Sequence, residues 1–137
     1  MSELSKAPAI FKDGIDPNDI SQGALGDCYF LAVLSSMAED PRDIKALFYT
    51  KEINQAGCYM MYFHLNGVQR SVIVDDYLPC KNGRLLFAKS HGGDEVWVCL
   101  LEKAWAKLHG NYSIVAGGLP CHASFHLAGV PSKSIRH

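Results

Sequence analysis

Cys28 sits in the run QGALGDCYFLAVLSS, spanning residues 22–36, and this run is where the chain concentrates its chemistry. The apolar stretch from Asp27 to Met37 predicts a mostly buried helix, and Gly26 and Asp27 stand where that helix begins. Asp27 can accept from the free N–H groups of the first turn. A cysteine in that turn feels about half a positive charge from unpaired backbone N–H groups, which favours the nucleophilic thiolate form. Gly23 and Gly26 let a substrate backbone approach closely. Gln22 has a side-chain amide able to reach back over the helix start. Together with the Cys28 backbone N–H it would bind the oxyanion formed when a thiolate attacks a carbonyl. The plainer alternative is that Cys28 is a small core residue opening a buried helix, which is the commoner role for a lone cysteine.

Several elements must position such a site. Residues 1–20 read as loop, punctuated by Pro8, Gly14 and Pro17. Pro41 starts a second helix over PRDIKALFYT, with Ile44, Leu47 and Phe48 on one face. Residues 58–65 and 68–74 form a hairpin about Asn66-Gly67, ended by Asp75, Asp76 and Pro79. Residues 80–93 are turn-rich, with Asn82-Gly83 and Gly92-Gly93. The clearest amphipathic helix carries Val96, Trp97, Leu100, Leu101, Ala104, Trp105 and Leu108, stopped by Gly110. The tail from Gly117 onward is rich in Gly and Pro. This is an α+β pattern: helices, one hairpin, then a long helix to pack on it.

Composition sets further bounds. A chain of 137 residues with 48% hydrophobic and 20% charged residues suits one globular domain. A formal net charge of −1 suggests no nucleic-acid or membrane partner. There is no apolar run of membrane-spanning length, and MSELSKAPAIFKDG lacks a signal-peptide centre, so a cytoplasmic location is the expectation. The 5 cysteines are scattered, with no CxxC pair or disulfide framework, and no HExxH spacing occurs. Free thiols in a reducing compartment follow.

The run around Cys28 resembles the cysteine motif of the calpain family. IVDDYLPCKNGRLLF (residues 73–87) and DEVWVCLLEKAWAKLHGNY (residues 94–112) match two further segments of the calpain catalytic core, in family order. The resemblance runs from about Lys12 to Gly118, and more weakly to about Pro131. It implies a calcium-dependent cysteine endopeptidase with polypeptide substrates. The chain would be the first, mainly helical papain-like subdomain of that core, with a β-hairpin and with the second, mainly β subdomain absent. Residues 1–11 would be an N-terminal loop and residues 119–137 an irregular tail. By position, Cys28 matches the nucleophile and Gln22 the oxyanion-hole glutamine. The resemblance also implies a calcium site in this half, formed by the carboxylates of Asp19 and Glu95 with the backbone carbonyls of Lys12 and Gly14. Such a mixture of hard oxygens suits that ion. Spacing alone favours the plainer reading, with Asp19 a turn residue and Glu95 a first-turn helix acid.

Two departures from the family pattern matter. Tyr29 stands where calpains usually have tryptophan beside the nucleophile. The histidine and asparagine of Cys–His–Asn catalysis lie roughly 130–150 residues beyond the cysteine in papain-like enzymes, and His137 is reached before that distance. His122 is a decoy for that histidine, because it directly follows the segment that closes the first subdomain. The expectation is therefore an incomplete core: a short product, a fragment, or one half that takes a second protease subdomain as partner. The alternative is a non-catalytic calcium-binding or regulatory module that keeps the calpain fold.

Overall fold

A computed structural model describes residues 9–11, 14–21, 28–65, 68–82, 84–85, 89–90, 95–112 and 127. In chain order, a 3-10 turn at Pro17–Asp19 leads into β1 (Ile20–Ser21), α1 (Cys28–Met37) and α2 (Pro41–Lys45). The hairpin strands β2 (Cys58–Leu65) and β3 (Val68–Asp75) follow, then the short strands β4 (Cys80–Lys81), β5 (Arg84–Leu85) and β6 (Lys89–Ser90), and finally α3 (Trp97–His109). The three sheets are two-stranded and antiparallel: β1 with β6, β2 with β3, and β4 with β5. The architecture is α+β.

The hairpin runs in unbroken register from Cys58↔Asp75 to Leu65↔Val68. Its period-2 pattern buries Tyr59, Met61, Phe63, Val72 and Val74 on one face, against α3. The Asn66-Gly67 turn lies outside the described residues. At the next turn Asn82 adopts φ 53, the left-handed conformation a tight hairpin requires.

Two helices differ from the sequence expectation. The second ends at Lys45 rather than running to Thr50. Beyond it the chain is captured by β2: the Tyr62 N–H donates to the Leu47 carbonyl at 2.8 Å, and the Tyr49 N–H donates to the Met60 carbonyl at 3.0 Å. Hydrogen bonding to the hairpin edge replaces another helical turn. At its start Asp40 caps the helix, its carboxylate accepting from the Arg42 N–H at 3.0 Å. The last helix is buried on more sides than a single amphipathic stripe, because Val98, Cys99, Glu102 and Ala106 are enclosed as well as the predicted positions. It ends on Gly110, whose φ of 122° strongly favours glycine.

One core joins these layers. It takes Phe30, Leu31, Val33 and Leu34 from α1, Ile44 from α2, the inward hairpin face, and Trp97, Leu100, Leu101, Ala104 and Trp105 from α3. Trp105 is the meeting point. Phe30 stacks on its indole at a centroid distance of 4.7 Å, Phe63 lies tilted at 6.0 Å, and the His109 ring packs at 4.3 Å.

Candidate active site

Cys28 is the first residue of α1 and is exposed, while Tyr29, Phe30 and Leu31 immediately after it are buried. With 3.6 residues per turn, Cys28, Ala32 and Ser36 fall on one line along the helix, and all three are open to solvent. The helix is therefore not enclosed all round, as its composition suggested. It presents a stripe of small, uncharged side chains with the thiol at its N-terminal end. That placement removes the core-residue reading of Cys28. A structural cysteine in an apolar core is sheltered and inert, whereas an exposed one at a helix start is reachable by an electrophile.

The anchoring of α1 is long-range. The Ser35 hydroxyl donates to the Pro17 carbonyl at 3.2 Å, holding the 3-10 turn against the helix. That turn is itself fixed by Asp16, whose carboxylate accepts from the Asn18 backbone N–H and side-chain amide, each at 2.7 Å. The Trp105 Nε1–H donates to the Tyr29 hydroxyl at 3.2 Å across a separation of 76 residues. Sequence reading placed Trp105 in the core, which holds, but nothing in its helical period marked it as the partner of the residue next to Cys28.

Gln22 and Lys12 lie outside the described residues, as do His91, His122 and His126. Asp19 closes the 3-10 turn, and its backbone leads straight into β1. Gly14 adopts φ 89 and is exposed. Glu95 is 8% exposed and forms a parallel bridge with Ala9, next to which the Val96 N–H donates to the Ala9 carbonyl at 3.0 Å. Residues 9–20 are thus tied to residues 90–95 at both ends, by the Ala9–Glu95 bridge and by the Ile20↔Ser90 pairing. Gly14, Asp19 and Glu95 all belong to the loop pair enclosed by those two joins. Among the described residues no group of three or more His, Cys, Asp or Glu side chains is assembled for a metal. The donors at issue here are of another kind, two carboxylates with backbone carbonyls, which fits a hard cation rather than zinc.

Of the remaining histidines, His109 is partly buried, its Nδ1 lying 2.9 Å from the Trp105 carbonyl at the C-terminal end of α3. His64 lies on the hairpin face opposite Tyr59, Met61 and Phe63, is partly buried, and pairs with Gln69. Cys58 and Cys80 carry exposed free thiols whose sulfurs lie beside the carbonyls of Ala56 and Leu78. No described helix is long and apolar enough to cross a membrane.

Residues 1–137 match the family model described as calpain family cysteine protease, and the chain belongs to that family. It is 39% identical over 133 residues to calpain-type cysteine protease ADL1 of Oryza sativa subsp. japonica, covering 96% of this chain and 6% of that protein. It is 41% identical over 125 residues to calpain-8 of Homo sapiens, covering 85% of this chain and 17% of that protein. Against calpain-A of Drosophila melanogaster the identity is 37% over 138 residues, covering 96% of this chain and 16% of that protein. The chain thus spans less than a fifth of the length of each of these relatives.

Proposed function

We propose that this chain supplies the cysteine-bearing half of a calpain-type endopeptidase core, with Cys28 as the nucleophile. One observation carries the reading: Cys28 is the exposed first residue of a helix whose next three residues are buried. A thiolate there attacks the carbonyl carbon of a polypeptide held against the helix start. The C=O electron pair moves onto oxygen, where the Cys28 N–H and the Gln22 amide would stabilise the developing charge. Collapse of that intermediate expels the amine and leaves an acyl group on the sulfur, which water then removes.

The proton leaving the Cys28 thiol and the proton entering the amine both need a general base and acid. In papain-like enzymes this is a histidine well beyond the cysteine. We therefore assign that role to a second subdomain packed along the open stripe of Cys28, Ala32 and Ser36. Small, uncharged side chains suit such a contact, since they allow close approach without stranding a charge. Calcium would be held by Asp19, Glu95 and the carbonyls of Lys12 and Gly14, joining the loop before α1 to the loop before α3. A reducing, cytoplasmic setting suits exposed free thiols.

The test is selective labelling. A peptidyl epoxide applied to the 1–137 chain, followed by peptide mapping, should modify Cys28 well ahead of the exposed Cys58 and Cys80. Equal labelling of the three would remove Cys28 from the nucleophile role. With the general base assigned to that second subdomain, the 1–137 polypeptide assayed by itself should not turn over a peptide substrate, because working without the base costs several powers of ten in rate.

A further inference from the structure

Two consecutive residues immediately after Cys28 engage one indole. The Tyr29 hydroxyl accepts from the Trp105 Nε1–H at 3.2 Å, and the Phe30 ring stacks on the same indole at 4.7 Å. Successive residues on an α-helix are rotated by about 100°. Tyr29 and Phe30 therefore grip Trp105 from two directions around the α1 axis, one by a directional bond and one by a flat contact. Trp105 is a fixed anchor: it is 2% exposed, lies within α3, and is held on its other sides by Phe63 and His109. Tyr29 is 9% exposed, so the bond is shielded from competing water.

We propose that the Tyr29–Trp105 hydrogen bond sets the rotation of the first turn of α1 and so aims the Cys28 sulfur, which makes Tyr29 a positioning residue. This inference rests on the reading of Cys28 as nucleophile. The geometry makes the effect sizeable. Backbone Cα atoms lie about 2.3 Å from a helix axis and a sulfur lies farther out, so a turn of about 20° sweeps the sulfur by about 1 Å. Misplacement on that scale is enough to cost a large factor in rate. Stacking by Phe30 alone tolerates sliding and rotation in the ring plane, whereas a hydrogen bond weakens steeply with angle. A tryptophan in place of Tyr29 would have an N–H donor and no acceptor, so it could not receive the Trp105 proton. In this chain the indole is on α3 and the hydroxyl on α1.

The experiment measures peptidyl-epoxide labelling of Cys28 relative to Cys58 in the 1–137 chain, together with the melting temperature. Tyr29→Phe keeps the ring and deletes the acceptor, and should lower the Cys28:Cys58 labelling ratio about fivefold, the equivalent of one buried hydrogen bond. The exchange Y29W/W105Y puts the N–H donor on α1 and the hydroxyl on α3, and should restore the ratio. An unchanged ratio in Tyr29→Phe, even with a lowered melting temperature, would show that the bond only stabilises the core and would overturn the inference. A loss in Tyr29→Phe that persists in the folded exchange variant would also overturn it. If Cys28 of the unsubstituted chain labels no faster than Cys58, the nucleophile reading itself falls, and the positioning role with it.

Discussion

The Lys103 ammonium and the Asp75 carboxylate form an ion pair that ties the middle of α3 to the end of β3. The same ammonium donates to the backbone carbonyls of Asp75 and Tyr77, and Lys107 one turn later donates to the Ile73 carbonyl. Two lysines of one helix thus donate to carbonyls at the end of β3, Ile73 and Asp75, and to Tyr77 just beyond it. The Lys103 side chain is 18% exposed and that of Asp75 55% exposed, so the pair is partly screened and belongs with modest surface interactions.

The Lys103 hydrogen bond, and after it the Tyr77 N–H, hold the Asp75 carboxyl below its ordinary range. A carboxyl lowered on folding contributes stability that is present above the unfolded value of about 3.9 and is lost as pH falls through the folded value. Asp75→Asn should therefore cost about 0.5 kcal/mol at pH 7, and this cost should shrink as pH is lowered below 4. Lys103→Met should cost more, about 1 kcal/mol, because the carbonyls of Asp75 and Tyr77 lose their donor as well. Urea unfolding of both variants at pH 7 and at pH 3 checks the sign. A cost for Asp75→Asn that grows toward low pH would contradict the pairing.

Trp105 is the most consequential core position, since α1, β2 and α3 all meet on it. Trp105→Ala should lose about 3–5 kcal/mol, the usual cost of emptying a large aromatic site. For a domain of this size that is a large share of the total. Phe30→Ala should cost a similar amount, and the double variant should lose less than the sum because the two rings share one contact. Denaturant titration of the four proteins measures this. Full additivity would mean that the stacking seen at 4.7 Å carries no coupling.

What could be read from the sequence was what local period and turn chemistry encode. The apolar run after Cys28, the alternation on either side of Asn66-Gly67 and the three- and four-residue steps from Trp97 to Trp105 each specify an element without reference to the rest of the chain. The unread features are pairings across long separations. Leu47 and Phe48 have helical spacing from Ile44 and still lie outside the helix, because the edge of β2 supplies better partners for the backbone groups of Leu47 and Tyr49. Likewise, nothing in the period of α3 marks Lys103 as the partner of the Asp75 and Tyr77 carbonyls. The candidate site divides the same way. Cys28 and its helix start were visible as a motif, but its exposure depends on which side of α1 the core leaves open. That Glu95 is joined to Ala9 is a matter of tertiary pairing that no spacing announces.

Because Cys28 is exposed and its sulfur fills no core space, Cys28→Ser should leave stability within about 0.5 kcal/mol of the unsubstituted chain. It should nevertheless abolish peptidyl-epoxide labelling at that position. Stability and chemistry are thus separable at residue 28, in contrast to Tyr29 and Phe30 beside it. A thermal melt and a labelling map of the same sample test both halves. A Cys28→Ser variant destabilised by 2 kcal/mol or more would mean that the thiol is part of the packing after all.

Calcium makes the remaining prediction, and it turns on Glu95. Glu95 is a buried acid bridged to Ala9, and Ile20 pairs with Ser90, so an ion bound there would add a third join between the two segments. Ligands that bind only the folded state stabilise it by about 2.7 kcal/mol at a concentration 100 times the dissociation constant. Millimolar calcium should accordingly raise the melting temperature of the 1–137 chain by several degrees, and a chelator should reverse it. Magnesium should do less, because it demands a tighter octahedral shell than loop carbonyls and two carboxylates supply. Glu95→Gln keeps the shape of the side chain and halves the available carboxylates, so it should remove most of the calcium shift, and Asp19→Asn should weaken it. Differential scanning calorimetry with and without calcium on the three proteins decides the matter. A shift equally large in Glu95→Gln would place the ion elsewhere, and no shift in the unsubstituted chain would leave Asp19 as a turn residue and Glu95 as a buried acid that helps join the Ala9 segment to the start of α3.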